Sequence, residues 1–242
     1  MTSADAPPSG ASGAPCSEAV RHRLGPVVDA AGAGAVTDTS PYDAVLCDLD
    51  NVIRYYDLSR LAALEREFGL PEGTTADLAY APEVDLPVLL GHITPDEWAE
   101  AIARGLSARV GVERARTLGR AMAEAPFRVD GTVVALLRRV RGRVPLVLVT
   151  NATLQLHDDL AASGLTDLAD HVVSSALEGA AKPDPTLYRI AAGRAGVRPE
   201  RCLFVDDRQE NIDTAEALGM TGVLFREPAD LYAPFGFARE DG

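Results

Sequence analysis

The chain has 242 residues, 47% of them hydrophobic, with 23 Lys and Arg against 36 Asp and Glu, for a net charge of -13. That length and apolar content suit one large domain or a domain with a sizeable insertion. The acidic balance excludes a broad surface that neutralises a nucleic-acid backbone, although a small anionic ligand needs only a few local cations.

In chain order, residues 1–40 come first and are rich in Ala, Gly, Pro, Ser and Thr. A stretch such as "AGAGAVTDTSP" cannot bury enough apolar surface to offset its ordering entropy. A flexible tail is expected, with at most a short helix over "SEAVRHRLGPVVDA" that leaves His22 solvated. The segment lacks a basic start followed by an apolar run, so it does not read as a secretory signal.

From residue 43 the texture changes. Short apolar runs recur: "AVLC" (44–47), "VPLVLV" (144–149), "HVVSS" (171–175), "RCLFV" (201–205) and "TGVLF" (221–225). They do not alternate, as expected of strands buried on both faces. Helical patterns lie between them: "TVVALLRRVRG", "TLQLHDDLAASGL", "PTLYRIAAGRAG" and "QENIDTAEALG", several ending in the Gly that stops a helix. Alternating strands and helices predict an α/β fold, a Rossmann-like parallel sheet with helices on both faces.

Residues 57–126 interrupt this alternation. No convincing strand occurs there, and three helices are expected, over "LSRLAALEREFGL", "ITPDEWAEAIARGL" and "GVERARTLGRAMAEA". The second opens with a capping box, Thr94 as N-cap, Pro95 at the first helical position and Glu97 at the third. The expected organisation is a core domain of residues 41–56 and 127–242, with an all-helical cap domain of residues 57–126 inserted after the first strand. Trp98 is expected to pack within the insertion, and His157 and His171 to lie at the surface or at helix ends. Cys16, Cys47 and Cys202 have neither disulfide nor metal spacing, and Cys47 and Cys202 read as core. A reducing cytoplasm suits such cysteines. No apolar stretch is long enough to span a membrane.

The polar residues at the strand ends carry the chemistry. Asp48 and Asp50 come after the first strand, Thr150 and Asn151 after "VPLVLV", and Asp206 and Asp207 after "RCLFV". An open parallel sheet binds ligands outside the carboxyl ends of its strands, so these side chains are expected in one crevice. Lys182, in the loop "GAAKPDP", can reach the same edge and, being in a loop, is expected to matter little for folding. Clustered carboxylates raise one another's pKa unless a cation joins them. An all-oxygen ligand set without His or Cys suits a hard ion, Mg²⁺ rather than Zn²⁺. Asp48, fixed by the strand, suits a nucleophile, and Asp50 a general acid and base. Arg54, Tyr55 and Tyr56, where the chain leaves for the insertion, are able to touch substrate. Each signal alone also fits a turn or a helix cap; it is the four in this order that argue for a site.

These motifs resemble those of the haloacid dehalogenase-like hydrolase superfamily. "DLDNV" (48–52) is similar to its first motif, Thr150 in "LVTN" to its second, Lys182 in "AKPDPTLY" to its third, and "FVDDRQENIDTAEALG" to its fourth. The resemblance covers residues 43–227, and the insertion resembles the cap of the family's phosphatase-like branch. It implies that Asp48 is nucleophile and metal ligand, and that Asp50 is acid/base and offers its backbone carbonyl to Mg²⁺. It further implies that Asp207 is a direct metal ligand, that Asp206 binds a metal water or orients Lys182, and that Thr150, the Asn151 backbone and Lys182 hold a phosphoryl group. Asn51 stands where the family usually has Gly, although Asn tolerates left-handed backbone. The implied function is a Mg²⁺-dependent phosphatase of a small phosphorylated metabolite, monomeric or homodimeric, with no nucleic-acid or membrane partner. A 2-haloacid dehalogenase, a phosphomutase and a non-catalytic binding protein on the same fold are the alternatives.

Overall fold

The computed structural model describes residues 41–238. The expected tail, its short helix and Cys16 lie outside the described residues. In chain order the elements are β1 (Ala44–Cys47), β2 (Arg54–Tyr56), α1 (Ser59–Glu67), α2 (Thr74–Ala79), α3 (Pro82–Leu89), α4 (Pro95–Val110), α5 (Val112–Ala123), β3 (Phe127–Val129) and α6 (Gly131–Arg141). Then come β4 (Leu146–Thr150), α7 (Leu156–Ala162), β5 (His171–Ser174), α8 (Ser175–Glu178), α9 (Pro185–Ala195), β6 (Cys202–Asp206), α10 (Gln209–Ala217) and β7 (Thr221–Leu224).

Five strands form a sheet in the order β5-β4-β1-β6-β7, and every pairing in it is parallel. The period-2 geometry of a strand splits each apolar run between two faces. Val45, Cys47, Leu146, Leu148, Leu203 and Val205 pack with α6 and α7 residues such as Leu137 and Leu160. Ala44, Leu46, Val147, Val149, Cys202 and Phe204 pack with Leu187 and Tyr188 of α9 and Ile212 of α10. Both faces are therefore dry, which is why the strands read as continuous apolar runs. Helix ends obey local chemistry: the Asp184 carboxylate accepts the Thr186 N–H at 2.8 Å at the start of α9, and Gly196, at φ 69°, closes it.

Between β2 and β3 the chain is helical, with its own apolar cluster around Trp98, Ile102, Leu106 and Leu118. Trp98 packs there as expected, and α4 begins with the capping box of Thr94 and Glu97. The structure has five helices in this segment where the sequence suggests three. The two extra ones, α2 and α3, have six and eight residues, too few to show a period. The N–H groups at the start of α2 bond to a carboxylate from elsewhere: buried Glu65 of α1 accepts Gly73 N at 2.8 Å and Thr75 N at 2.6 Å. A cap supplied by another helix leaves no local signature. The three-residue strands β2 and β3 also escape sequence reading; they pair antiparallel, Arg54 opposite Val129, so the chain leaves and re-enters the core through one ribbon. No helix of the described residues is long and apolar enough to cross a membrane.

Candidate active site

The carboxyl ends of β1, β4 and β6 lie side by side in the sheet, so Asp48, Thr150 and Asp206 arrive at one edge. Asp48 is oriented through one oxygen. Its Oδ1 accepts the Leu49 N–H at 2.7 Å and lies 2.8 Å from Lys182 Nζ. No hydrogen bond reaches its Oδ2 among the described residues. Lys182 also lies 2.7 Å from Asp206 Oδ2, and Asp206 Oδ1 accepts the Arg208 N–H at 2.9 Å and Asn211 Nδ2 at 2.8 Å. Asp206 thereby holds both the lysine and the start of α10. Asp48, Asp206 and Asp207 each offer an oxygen, all within 4.8 Å of one another.

Electrostatics reflect this crowding. Burial pushes the Asp48 carboxyl up to about 8; Lys182 opposes the rise and Asp206 adds to it. Asp207 is raised by burial and by Asp206, against a hydrogen bond from the Asn51 side chain and the charge of Lys182. Burial acts against the charge of Lys182, yet Asp48 and Asp206 together hold its pKa above the usual value. Asp48 and Lys182 both move upward, which weakens the charge of one and keeps that of the other. The 2.8 Å contact favours the ion pair, and a cation among the three acids would favour it further.

Lys182 corrects one expectation. Its side chain, though in a loop, is only 2% exposed and carries two ion pairs, so it bears on stability as well as on chemistry. Asn151 fixes that loop: its Nδ2 donates to the Lys182 carbonyl at 2.9 Å while its Oδ1 accepts the Lys182 N–H at 2.7 Å. From the sequence, the Asn151 side chain is expected in the crevice and its backbone on a phosphoryl group; the side chain instead holds the Lys182 loop. Thr150 is fully buried, and its hydroxyl has no hydrogen-bond partner among the described residues. Asn51 adopts φ 61°, the left-handed conformation that the Gly-like position requires.

Asp50 stands apart from the other acids. Its carboxylate is clasped by Arg54, Nε to Oδ1 at 2.6 Å and NH2 to Oδ2 at 3.1 Å. Arg54 is buried and faces Asp50, whereas Tyr56 is exposed. Two residues of the inserted helices, exposed Tyr80 and half-buried Asp85, feel charges from the core. Tyr80, ending α2, has its phenol raised by burial and the Asp50 charge, and Asp85 of α3 is pushed up to about 6 by burial, against Arg208. The exposed His157 and His171 take no part.

A parallel sheet with a helical insertion after its first strand, and this order of acids and lysine at its edge, define a class. The model of the haloacid dehalogenase-like hydrolases matches residues 42–219. The chain belongs to that family and is a hydrolase. It is 31% identical over 195 residues to "Phosphatase MT3486" of Mycobacterium tuberculosis, covering 75% of this chain and 86% of the relative. Among solved structures, an enzyme of the family from Bacteroides thetaiotaomicron, in complex with magnesium and inorganic phosphate, superposes with a TM-score of 0.57 at 19% identity. That match covers 75% of this chain and 92% of the other. The L-2-haloacid dehalogenase of Xanthobacter autotrophicus shares the fold, with a TM-score of 0.54, 20% identity and coverage of 75% and 76%.

Proposed function

We propose that the chain is a Mg²⁺-dependent phosphatase of a small phosphorylated metabolite, working through an aspartyl phosphate on Asp48. The observation that carries this reading is the pairing of a carboxylate fixed through Oδ1, with Oδ2 left free, and a buried lysine, beside a three-acid cluster. The residues fit the implied ion and substrate. Asp48, Asp206 and Asp207 make an all-oxygen donor set for a hard cation, with the Asp50 backbone carbonyl as a further donor. The partnerless Thr150 hydroxyl, buried at the strand end, fits a phosphoryl oxygen. Mg²⁺ held there supplies charge neutralisation to the phosphoryl group.

The chain's own groups then divide the reaction. Asp48 Oδ2 attacks phosphorus, the bond to the ester oxygen breaks, and Asp50 gives that oxygen a proton. Water next attacks the phosphorus of the aspartyl phosphate and gives its proton to Asp50. The bond to Asp48 breaks and inorganic phosphate leaves. Lys182, Thr150 and the Asn151 backbone hold the phosphoryl oxygens as negative charge shifts between them. The helices of residues 57–126 act as the cap that selects the substrate. A dehalogenase needs neither a leaving-group acid nor paired metal acids, so Asp50 and the cluster favour phosphate chemistry.

The test is a comparison of Asp48→Asn and Asp50→Asn with p-nitrophenyl phosphate and Mg²⁺. Asp48→Asn is expected to lose turnover on every substrate. Asp50→Asn should release a burst approaching one nitrophenol per site, since nitrophenolate hardly needs the proton, and then stall, with a phosphate adduct on the peptide containing Asp48 by mass spectrometry. Turnover by Asp48→Asn would sink this reading.

A further inference from the structure

We infer that Arg54 is a positioning residue for Asp50: it fixes the plane and reach of the acid–base carboxylate from the ribbon that joins the core to the inserted helices. The inference rests on the proposed role of Asp50 and adds to it a residue outside the reacting groups.

The geometry is that of a two-pronged clasp. Arg54 Nε and NH2 take one oxygen each of Asp50, at 2.6 and 3.1 Å. A guanidinium is planar, and a parallel pair of such bonds fixes the plane of the carboxylate as well as its distance. The third nitrogen, NH1, donates to Asp159 Oδ2 of α7 at 2.8 Å, so the guanidinium is itself anchored to a core helix. Two rings hold it from the ribbon, Tyr56 of β2 at 5.0 Å and Phe127 of β3 at 5.1 Å. The side chain of Arg54 is 5% exposed and that of Asp50 is 28% exposed, so the clasp is dry on one side while the carboxylate stays open to the crevice. The backbone closes the same unit: Asn51 N donates to the Arg54 carbonyl at 2.7 Å, and Arg54 N to Leu49 O at 2.8 Å.

A carboxylate has about four lone-pair positions. The fork takes two, and the remaining two serve the ester oxygen in the first half-reaction and the water in the second. Without Arg54 the carboxylate rotates freely, and both proton transfers lose their alignment. Asp48 is held by Leu49 N and Lys182, so the attack on phosphorus does not depend on Arg54.

The test uses the full-length chain with Mg²⁺, p-nitrophenyl phosphate and an alkyl phosphate. Arg54→Met keeps the apolar stem between the two rings and removes the fork. It should lower kcat on the alkyl phosphate by about 100-fold, the scale of a lost acid–base alignment, with little change in KM. With p-nitrophenyl phosphate it should keep the nitrophenol burst and slow the steady rate, as expected for Asp50→Asn. Combined with Asp50→Asn it should add nothing. Guanidinium ion should partly restore Arg54→Ala, and Arg54→Lys, which has one prong, should not recover the wild-type rate. Asp159→Asn removes only the anchor and should lower the alkyl phosphate rate by about 2- to 5-fold, the scale of a part-exposed ion pair, while the nitrophenol burst stays intact. It decides the matter if the Arg54 variants do not fold. Loss of the nitrophenol burst in Arg54→Met, additivity with Asp50→Asn, or an unchanged alkyl phosphate rate in Asp159→Asn would overturn the assignment of Arg54 while leaving the phosphatase reading in place. A wild-type chain that releases no phosphate would overturn both.

Discussion

Lys182 shows how a single residue can bear on both folding and chemistry. Buried between Asp48 and Asp206 at 2.8 and 2.7 Å, it compensates two carboxylates that have little water to solvate them. Removing one partner of a buried pair is more harmful than never having had the pair, because an uncompensated charge is left behind. Lys182→Met should therefore destabilise the metal-free protein by about 3–5 kcal/mol, measured by denaturant unfolding. It should also cut phosphate release by orders of magnitude where the variant is kept folded by added Mg²⁺. A variant with wild-type stability would show that the lysine is not buried as described. Asn51 is the quieter case. Its φ of 61° lets it serve as a left-handed hinge, and its amide opposes the rise of the Asp207 pKa, which Gly at that position could not do.

At the scale of elements, two contacts decide how the inserted helices pack. A methyl group added at Gly119 of α5 would overlap the carbonyl oxygen of Ala99 in α4. Ala is a better helix former than Gly by about 1 kcal/mol, so an exposed Gly→Ala would stabilise. Here the overlap is with backbone, which no side-chain rotation relieves, and overpacking costs about 1–3 kcal/mol. Gly119→Ala is expected to lower the melting temperature, and a rise would show that α4 and α5 separate freely. Glu65 makes the second contact, with both oxygens on the first turn of α2. Glu65→Gln turns one acceptor into a donor facing an N–H, which should destabilise by about 1–3 kcal/mol and be visible as faster amide exchange in α2 than in α9.

Across the whole molecule, the acid cluster links stability to metal. Asp48, Asp206 and Asp207 converge from the ends of two strands, and their mutual repulsion opposes folding. A cation that binds only the folded chain stabilises it by about 2.7 kcal/mol at 100 times its dissociation constant, roughly 5–10 °C for a domain of this size. Mg²⁺ should raise the melting temperature by that order, EDTA should reverse the rise, and Asp207→Asn should reduce it. Ca²⁺ should stabilise while supporting little turnover, because its looser coordination places the phosphoryl group poorly against Asp48. A melting temperature indifferent to Mg²⁺ would remove the metal from the site.

The five-strand core and the side chains at its edge are written locally in the chain. A strand buried on two faces must be an apolar run, and the residue after it must emerge at the carboxyl edge. Asp48, Thr150 and Asp206 were legible for that reason, as was the α4 capping box, whose partners lie three residues apart. Partnerships between distant residues were not legible and came into view only in the folded chain. Glu65 starts α2 from another helix, β2 and β3 find each other across the whole insertion, and Asn151 locks the loop of Lys182. Arg54 reaches across to Asp159, a residue 105 positions away. No period or spacing encodes such pairs, because their energy is set by packing geometry that exists only once the chain has folded.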